Sequence, residues 1–355
     1  MPDWLALRLS EGETYLQNNI LHPLVSGERG EGRPDAFLLT VPTVTLSLWR
    51  PVRIRLMAPP PCLIGIEACP MAHFWAREIA ALGHDVRLIP PAYVKPYVKR
   101  QKNDATDAEA ICEAVSRPNM RFVPAKTEEQ QSVLVLHRSR DLLMRQRTML
   151  LNAIRAHLAE FGVITAQGPR KVIDLIKRLR DGDEFELPEI ARSGLLVLGD
   201  QLDTLQQEIR AIERKLLAWH RQNQASQRLE TIPGVGVITA TALAASVPDA
   251  TVFRSGRQFS AWLGLVPRQN SSGGKERLGH VSKMGNGYLR RLLVVGATSV
   301  TRRAATIDSR TGAWVRSLLE RKPKRLVTVA IANRSARTAW ALLKRGETYR
   351  AAPAT

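Results

Sequence analysis

Acidic residues, cysteines and long apolar runs are all scarce in this chain of 355 residues. Asp and Glu number 33 against 52 Lys and Arg, which gives a formal net charge of +19. Such an excess of positive charge argues against a typical enzyme of small metabolites and predicts a polyanionic partner. The three cysteines, Cys62, Cys69 and Cys112, contain no C-x-x-C pair, so we expect neither a disulfide framework nor a zinc site, and a reducing compartment.

Membrane and export signals are also missing from the sequence. The most apolar stretches, such as residues 292–297, are much shorter than the roughly 18 residues that a membrane span needs. Glu11 and Glu13 lie early in the chain, which fits neither a secretory signal nor a transit peptide. We therefore expect a cytoplasmic protein with no membrane function.

The positive charge is concentrated in the C-terminal part of the chain. From Arg277 onward there are 17 Lys or Arg and three acids, so this part carries 14 of the 19 net charges. A solubilising tail is one explanation. However, the arginines alternate with apolar residues at helical spacing, as around Leu289 and Leu293, which favours folded basic helices that contact phosphates.

The length predicts two or three domains, and the sequence pattern changes along the chain. Residues 1–58 are rich in proline and are predicted to be irregular, with a β-leaning run at 37–48 that Pro42 interrupts. In the segment 59–125, strands at 62–67 and 85–89 flank a helix at 72–82, followed by a helix from Asp104. This strand–helix–strand order predicts a parallel pair of strands in an α/β domain.

The segment 126–226 has the apolar periodicity of two long helices, at about 127–161 and 195–219, joined by a polar link. This pattern predicts a coiled-coil hairpin or a dimer arm, with a plain helical bundle as the alternative. The segment 227–350 is predicted to be a mainly helical domain, and residues 351–355 form a tail. Within the segment 227–350, a turn at 229–243 resembles a helix-hairpin-helix, in which Gly234 and Gly236 would let backbone amides approach phosphate. The alternative is a Pro-Gly helix entry without a ligand.

Three carboxylates are candidates for a metal site. Glu67 ends a buried strand, and Asp104 and Asp107 are three residues apart, on one side of a helix's first turn. Oxygen ligands of this kind suit one or two Mg²⁺ ions that activate water or a hydroxyl for attack on a phosphodiester. Alternatively, Asp104 is a helix cap, Asp107 a first-turn acid and Glu67 a solvated strand end.

Two adjacent serines, Ser271 and Ser272, precede a Gly-Gly pair and lie among cations. A serine hydroxyl on such a loop could attack phosphorus, because Arg268, Lys275 and Arg277 would stabilise the charge of the transition state. The alternative is a loop that only hydrogen-bonds phosphate.

Together these segments resemble the DEDD transposases of bacterial insertion sequences. The resemblance covers about residues 59–350 and is carried by the motifs at 63–69, 102–109, 232–236, 264–267 and 271–274. It implies a partial RuvC-like domain with an RNase H-like fold at 59–125, a coiled-coil region at 126–226, and a serine-bearing transposase domain at 227–350. It further implies Mg²⁺ as cofactor, DNA as substrate and a guide (bridge) RNA as partner.

The resemblance also implies roles for individual residues. Glu67, Asp104 and Asp107 match the second, third and fourth acids of the family's metal-binding tetrad. Ser272 matches the nucleophile, with Ser271 as the alternative. No residue in 1–60 matches the first acid. The residues that we expect to contact nucleic acid are Gly234, Gly236, Arg268, Lys275, Arg277, Lys283, Arg290 and Arg291.

The resulting functional prediction is a transposase that cleaves and exchanges DNA strands under RNA guidance, as a homo-oligomer held by the coiled coil, at the bacterial nucleoid. Two alternatives share the same scaffold. One is a catalytically defective, nucleic-acid-binding relic, because the first acid is missing. The other is a Mg²⁺-dependent junction-resolving nuclease in which water is the nucleophile and Ser272 only contacts phosphate.

Overall fold

A computed structural model describes residues 60–99, 104–182, 186–307 and 309–350, and only the backbone of residues 104–105 and of three strands within residues 4–42. The chain divides into two compact units, residues 1–128 and 129–355. The described part of the first unit combines strands and helices, and helices predominate in that of the second unit. No helix in the described ranges combines the length and the apolar character that crossing a membrane requires.

The first unit contains a five-stranded sheet with the order β2-β3-β1-β4-β5, in which only β2 runs antiparallel to its neighbour. The strands are β1 (Trp4–Ser10), β2 (Leu21–Pro23), β3 (Ala36–Pro42), β4 (Leu63–Glu67) and β5 (Asp85–Ile89). The predicted α/β character and the parallel pairing of β4 with β5 are confirmed.

The expectation of an irregular segment at 1–58 is wrong for the part that the structure describes. Three strands lie there, and β1 pairs in parallel with both β3 and β4 at the centre of the sheet. The prolines misled the prediction, since Pro23 and Pro42 each occupy the last position of a strand, where a missing backbone N–H costs little. The β-leaning run accordingly gives a strand that ends at Pro42, and the rest of that run lies outside the described residues.

Helices cover both faces of β4 because its side chains alternate between the two faces. Ile64 and Ile66 pack with Trp75 and Ile79 of helix α1 (Ala72–Ala80). Leu63 faces the other way and packs with helix α3. The remaining helices of the unit are α2 (Pro91–Val94), a short 3₁₀ helix (Lys95–Tyr97) and α3 (Asp104–Val115). The helix and strand boundaries predicted for 62–115 therefore agree with the structure to within two residues.

The second unit begins with a helical arm. Helix α4 (Glu128–Ala159) and helix α6 (Glu189–Gln222) run antiparallel, since Val133 packs near Leu216 at one end and Leu151 near Leu195 at the other. The two long helices are thus confirmed as a hairpin within one chain. The polar link between them was wrong, because helix α5 (Pro169–Arg180) lies there and buries its apolar face, including Val172 and Ile176, against both long helices.

The rest of the second unit is a helical domain with one small β-hairpin. Its helices are α7 (Gln224–Glu230), α8 (Val237–Ser246), α9 (Gly256–Trp262), α10 (Gly287–Arg302), α11 (Arg310–Arg321) and α12 (Lys324–Arg345), and its strands are β6 (Pro267–Gln269) and β7 (Leu278–Val281). One core unites the helices, with Phe259, Leu293 and Ile331 among its buried members. The basic C-terminal segment is therefore folded helix, as predicted.

Candidate functional site

The first carboxylate of the site lies at the C-terminal end of β4. Side chains of a strand alternate, so Glu67 shares a face with Leu63 and Gly65. This is the face that α3 covers, since Leu63 packs with Ile111 of that helix. The backbone beyond Glu67 continues the ladder, because the Ala68 N–H donates to the Ile89 carbonyl at 2.8 Å.

Helix α3 brings the two aspartates to the same part of the first unit. A Cβ on Gly65 would lie 3.0 Å from Ile111 Cγ2 and 3.2 Å from Val115 Cβ, so the C-terminal half of α3 lies over the middle of β4. Asp104 begins this helix and Asp107 lies in its first turn. Because the chain leaves β5 at the edge where Glu67 ends β4 and α3 then returns across the sheet, the topology predicts that the first turn of α3 lies near that edge.

The donors at this edge have the right chemistry for a hard divalent cation, because carboxylate oxygens are the ligands that Mg²⁺ prefers. Glu67, Asp104 and Asp107 therefore fit such an ion. Among the side chains that the structure describes, which exclude that of Asp104, no cluster of three or more His, Cys, Asp or Glu could hold a metal.

The central strand supplies no fourth acid. β1 pairs with β4 through Leu7 and Ile66, and the next position of each strand is Arg8 and Glu67. The sequence of β1, WLALRLS, contains neither Asp nor Glu. The strand that pairs with β4 at the centre of the sheet therefore offers no acid that could match the first of the tetrad.

The candidate serines lie at the tip of the β6–β7 hairpin in the second unit. The Lys275 N–H donates to the Ser272 carbonyl at 3.1 Å, and φ is +56° at Gly273 and +75° at Gly274. Two central residues with positive φ define a type I′ hairpin turn, for which Gly-Gly is suited. Every residue from Pro267 to His280 is exposed, so both serines are open to a large substrate.

The two serines differ in their contacts. The Ser271 hydroxyl accepts a hydrogen bond from the backbone N–H of Arg277 at 3.2 Å, so it helps to hold the two strands of the hairpin together. For Ser272 only the backbone carbonyl bonds across the turn. Within the described ranges no hydrogen bond engages the Ser272 hydroxyl, and this difference favours Ser272 over Ser271 as the reactive group.

The base of the hairpin is fixed by very close backbone packing. A Cβ on Gly285 would lie 1.8 Å from the Trp262 carbonyl oxygen, and a Cβ on Gly264 would lie 2.0 Å from the Met284 carbonyl oxygen. Both glycines also have positive φ. Glycine is therefore required at both positions, which gives a structural reason for the glycine that begins the motif at 264–267.

Three of the predicted phosphate-binding arginines already have protein partners. Arg290 donates to the carbonyls of Leu263 and Met284 at 3.0 and 3.1 Å, which ties the two sides of the hairpin base together. Arg291 pairs with Asp141 and lies over the Tyr288 ring. Arg268 donates weakly to the Ser282 carbonyl at 3.4 Å. Their first role is structural, although the guanidinium of Arg291 is still exposed.

The other predicted cations, Lys275, Arg277 and Lys283, are exposed around the hairpin. No ion pair engages their side chains in the part of the chain that the structure describes. Lys283 has a φ of +54°, which is uncommon for a residue with a side chain, and its N–H donates to the Gly264 carbonyl at 3.3 Å. The hairpin thus presents positive charge near both serines.

Gly234 has a packing role in addition to the phosphate contact that the sequence predicts. A Cβ there would lie 2.8 Å from the Gly296 carbonyl oxygen and 2.8 Å from Val300 Cγ2 of α10. This glycine allows close packing between the turn and α10, and its contact with phosphate stays a prediction. Gly236 is the N-cap of α8, and a Cβ there would meet no atom within 4 Å, so its backbone is open to a phosphate.

A buried hydrogen-bond network supports the helix that follows the hairpin. His137 Nδ1 lies 2.9 Å from the Tyr288 hydroxyl, and His137 Nε2 lies 3.0 Å from the Thr241 hydroxyl. Burial, helped by the nearby charge of Arg140, lowers the pKa of His137 to about 4, and burial raises the pKa of Tyr288. Since Thr241 donates to the Val237 carbonyl, its oxygen accepts from Nε2–H, and neutral His137 accepts from Tyr288.

Sequence reasoning predicted basic helices in this unit but did not single out the surface that Arg257, Arg334 and Arg337 form with Trp314. Helix α12 gave a signal for it, because its 22 residues contain six Lys or Arg and no acid. Which of these cations share one surface depends on contacts between distant elements, and the sequence pattern does not show those.

Two family models match the chain. The model described as "Transposase" matches residues 57–162, and the model described as "Transposase IS116/IS110/IS902 family" matches residues 226–311. The first range includes the three carboxylates and the second includes both serines. The first 56 residues, which hold β1 to β3, lie outside both matched ranges.

Curated relatives agree with these matches. A Pseudomonas aeruginosa protein named "Probable family 20 transposase" is 50% identical over 292 residues, which are 82% of this chain and 86% of that protein. The transposase for insertion sequence element IS1328 of Yersinia enterocolitica is 44% identical over 82% of this chain and 86% of its own length. The transposase for IS1111A of Coxiella burnetii is 42% identical over 81% and 79%.

Proposed function

Because the chain belongs to the IS116/IS110/IS902 family of insertion-sequence transposases, we propose that it cleaves and rejoins DNA strands with Ser272 as the nucleophile. The observation that carries this proposal is the hairpin tip, where the Ser272 hydroxyl is exposed among cations while Ser271 is engaged by the Arg277 N–H. DNA as substrate puts its action at the bacterial nucleoid.

In the proposed cleavage step, Ser272 Oγ attacks a DNA phosphorus. The new Oγ–P bond replaces the P–O3′ bond, the serine proton is lost to a base, and the 3′ oxygen leaves with a proton as a hydroxyl. Lys275 and Arg277 stabilise the charge that develops on the phosphoryl oxygens. In the rejoining step, a 3′-hydroxyl of another strand attacks the phosphoserine and releases Ser272.

We further propose that Glu67, Asp104 and Asp107 hold Mg²⁺ within an RNase H-like first unit. The support is the chemistry of the donors and their common edge of the sheet. Bound there, such an ion would stabilise negative charge on a phosphate oxygen or a leaving oxygen. The protein's part is to fix the carboxylates on a packed strand and helix, and Arg8 supplies no fourth donor.

A guide RNA is a further part of the proposal. The segment from Arg277 onward carries 14 net positive charges, which is more than the contact with a short stretch of DNA phosphates needs. This excess is consistent with binding of both DNA and RNA. The check is to purify the protein with and without nuclease treatment and to sequence the RNA that copurifies. We expect one discrete species, and a random population would contradict guidance.

Self-association is proposed to occur through the helical arm as a coiled coil. Packing within one chain leaves Val135, Leu142 and Met149 of α4 exposed by 57%, 48% and 69%, at intervals of seven residues. Such a stripe suits a second copy of the same arm. We expect Leu142→Glu to shift the mass measured by light scattering from oligomer to monomer, whereas Arg145→Glu on the same helix should not.

The experiment that tests the proposed function uses labelled donor-end DNA, the cognate RNA and Mg²⁺, with the products separated on a denaturing gel. We expect a protein-linked DNA band that is lost in Ser272→Ala and kept in Ser271→Ala. Cleavage that persists in Ser272→Ala without a linked band would support the junction-resolving nuclease. Tight binding without any cleavage would support the defective relic, for which the missing acid beside Glu67 is the specific observation.

A further inference from the structure

A groove of about 1340 Å³ lies in the second unit between α9, the β6–β7 hairpin, α11 and α12. Arg257, Arg334 and Arg337 line it, and none of its lining residues is Asp or Glu. A surface that combines three cations with no acid among its lining residues attracts an anionic ligand. The size of the groove suits several linked anionic groups better than one small ion.

The arginines are held in place by neighbouring elements. The Arg334 guanidinium lies over the Trp314 ring, 4.9 Å from its centroid. A Cβ on Gly256 would lie 3.1 Å from Arg337 Cα, so α9 begins in direct contact with α12 at this arginine. The ring contact orients the Arg334 guanidinium, and the backbone contact places Arg337 on the wall of the groove, which reduces part of the ordering cost of binding.

The floor of the groove is apolar and aromatic. Leu326 is 52% exposed there, beside Val329 and the partly exposed rings of Trp314 and Trp340. Trp340 is oriented by its indole N–H, which donates to the Ala250 carbonyl at 3.1 Å. Cations beside flat apolar surfaces are the combination that holds single nucleic-acid strands, because phosphates meet the cations and base faces meet the rings.

One wall of the groove belongs to the hairpin that carries the candidate nucleophile. Pro267 and the residues Gly279, His280 and Val281 line the groove from the two hairpin strands, and the same strands lead to Ser272 at the tip. A nucleic-acid strand that lies in the groove therefore contacts the hairpin that bears Ser272.

We propose that this groove binds a single strand of DNA and guides it along the hairpin. Its identification as DNA rests on the proposed function, in which DNA is the strand that Ser272 attacks. Duplex DNA fits the groove less well, because its bases are stacked inside and leave the apolar floor without a partner. The binding test needs neither Mg²⁺ nor cleavage, so it can fail while the proposed function holds, and the reverse is also true.

The test is fluorescence anisotropy of the full chain with a labelled single-stranded DNA of about 12 nucleotides, a length within the usual range of such sites. We expect Arg334→Gln and Arg337→Gln each to weaken binding about 5-fold and to lower the salt slope by about 0.7, as the loss of one phosphate contact predicts. Trp314→Leu should weaken binding about 10-fold through lost stacking.

Arg325→Gln is the matched control, since it removes the same charge from α12 outside the groove. If Trp314→Leu fails to fold, Arg337→Gln still decides, because Arg337 is exposed. The proposal is overturned if Arg334→Gln and Arg337→Gln weaken binding no more than Arg325→Gln does. It is equally overturned if duplex DNA, or RNA of the same sequence, binds more tightly with the same pattern of variants.

Discussion

The two groups of candidate catalytic residues are supported in opposite ways. Glu67 and Asp107 lie on a strand and a helix that pack against each other through Gly65 and Ile111. Ser272 lies at the tip of an exposed two-stranded hairpin that is fixed only at its base. The carboxylates thus lie on a packed scaffold that forms without substrate. The position of the serine depends instead on a few contacts at the base of the hairpin.

The largest effect is expected at the hairpin base. In Gly285→Ala the new Cβ would overlap the Trp262 carbonyl oxygen, so the base must open, and we expect a loss of at least about 3 kcal/mol in the free energy of unfolding. Gly274→Ala is the matched control, because its φ is +75° but its Cβ would meet open space. It should cost about 1 kcal/mol. Equal losses in thermal unfolding would show that the base is not closely packed.

The next effect concerns the sheet edge. Glu67→Gln and Asp107→Asn keep the shape of the side chain but remove its charge, so we expect strand cleavage to fall about 1000-fold, with little change in folding. Glu109→Gln on the same helix is the control, since Glu109 is exposed and pairs with Lys99. Unchanged cleavage rates in both site variants, measured over a Mg²⁺ titration, would refute the carboxylate site.

A smaller effect separates the base of the hairpin from its tip. Arg290→Lys loses the fork that bonds two carbonyls, and we expect it to cost about 2 kcal/mol in unfolding and to expose the hairpin to protease. Arg277→Lys should change stability by less than about 0.5 kcal/mol because its side chain is exposed. If limited proteolysis cuts both variants at the same rate, the clasp by Arg290 has no structural role.

Several of the elements that carry the candidate residues could be predicted from the sequence, because the local residue pattern determines them. The strand Leu63–Glu67, the helix Asp104–Val115 and the candidate acids on them follow from apolar spacing and turn residues. Helix α5 was also within reach, since Val172, Leu175, Ile176 and Leu179 have helical spacing after a Gly-Pro start.

What the sequence could not show depends on partners far along the chain. The packing of Gly234 against Gly296 and the hydrogen bond of Arg290 to the Leu263 carbonyl are examples, because each joins residues that are 27 or more positions apart. The strand β1 was hidden for the same reason, because its place beside β4 depends on pairing across more than 50 residues. Long-range contacts, and not local propensity, decide these roles.

The smallest effect tests the support of α10, the helix that follows the hairpin. The pKa of His137 is about 4 in the folded chain, below the value of about 6.5 for a free histidine. As pH falls below about 6.5, the unfolded chain therefore takes up a proton that the folded chain refuses, and stability falls by up to about 1.4 kcal/mol per pH unit. The stability that neutral His137 contributes is complete above pH 6.5 and is lost by about pH 4.

The measurement is thermal unfolding at pH 7.5 and pH 5. His137→Gln should lose less stability between the two values than the unmodified chain loses, by roughly 2 kcal/mol. His157→Gln, an exposed histidine on the same helix, should show the same pH dependence as the unmodified chain. An identical pH dependence in all three proteins would contradict the buried, neutral state of His137.

The proposed function depends most directly on the identity of the residue that becomes linked to DNA. The decisive measurement is mass spectrometry of the protein–DNA adduct after proteolysis, with fragmentation of the peptide that contains Ser271 and Ser272. We predict a nucleotide phosphate on Ser272 alone. Attachment at Ser271 or at a residue outside the hairpin, or cleavage that proceeds fully with no adduct when rejoining is blocked, would contradict the proposed role of Ser272.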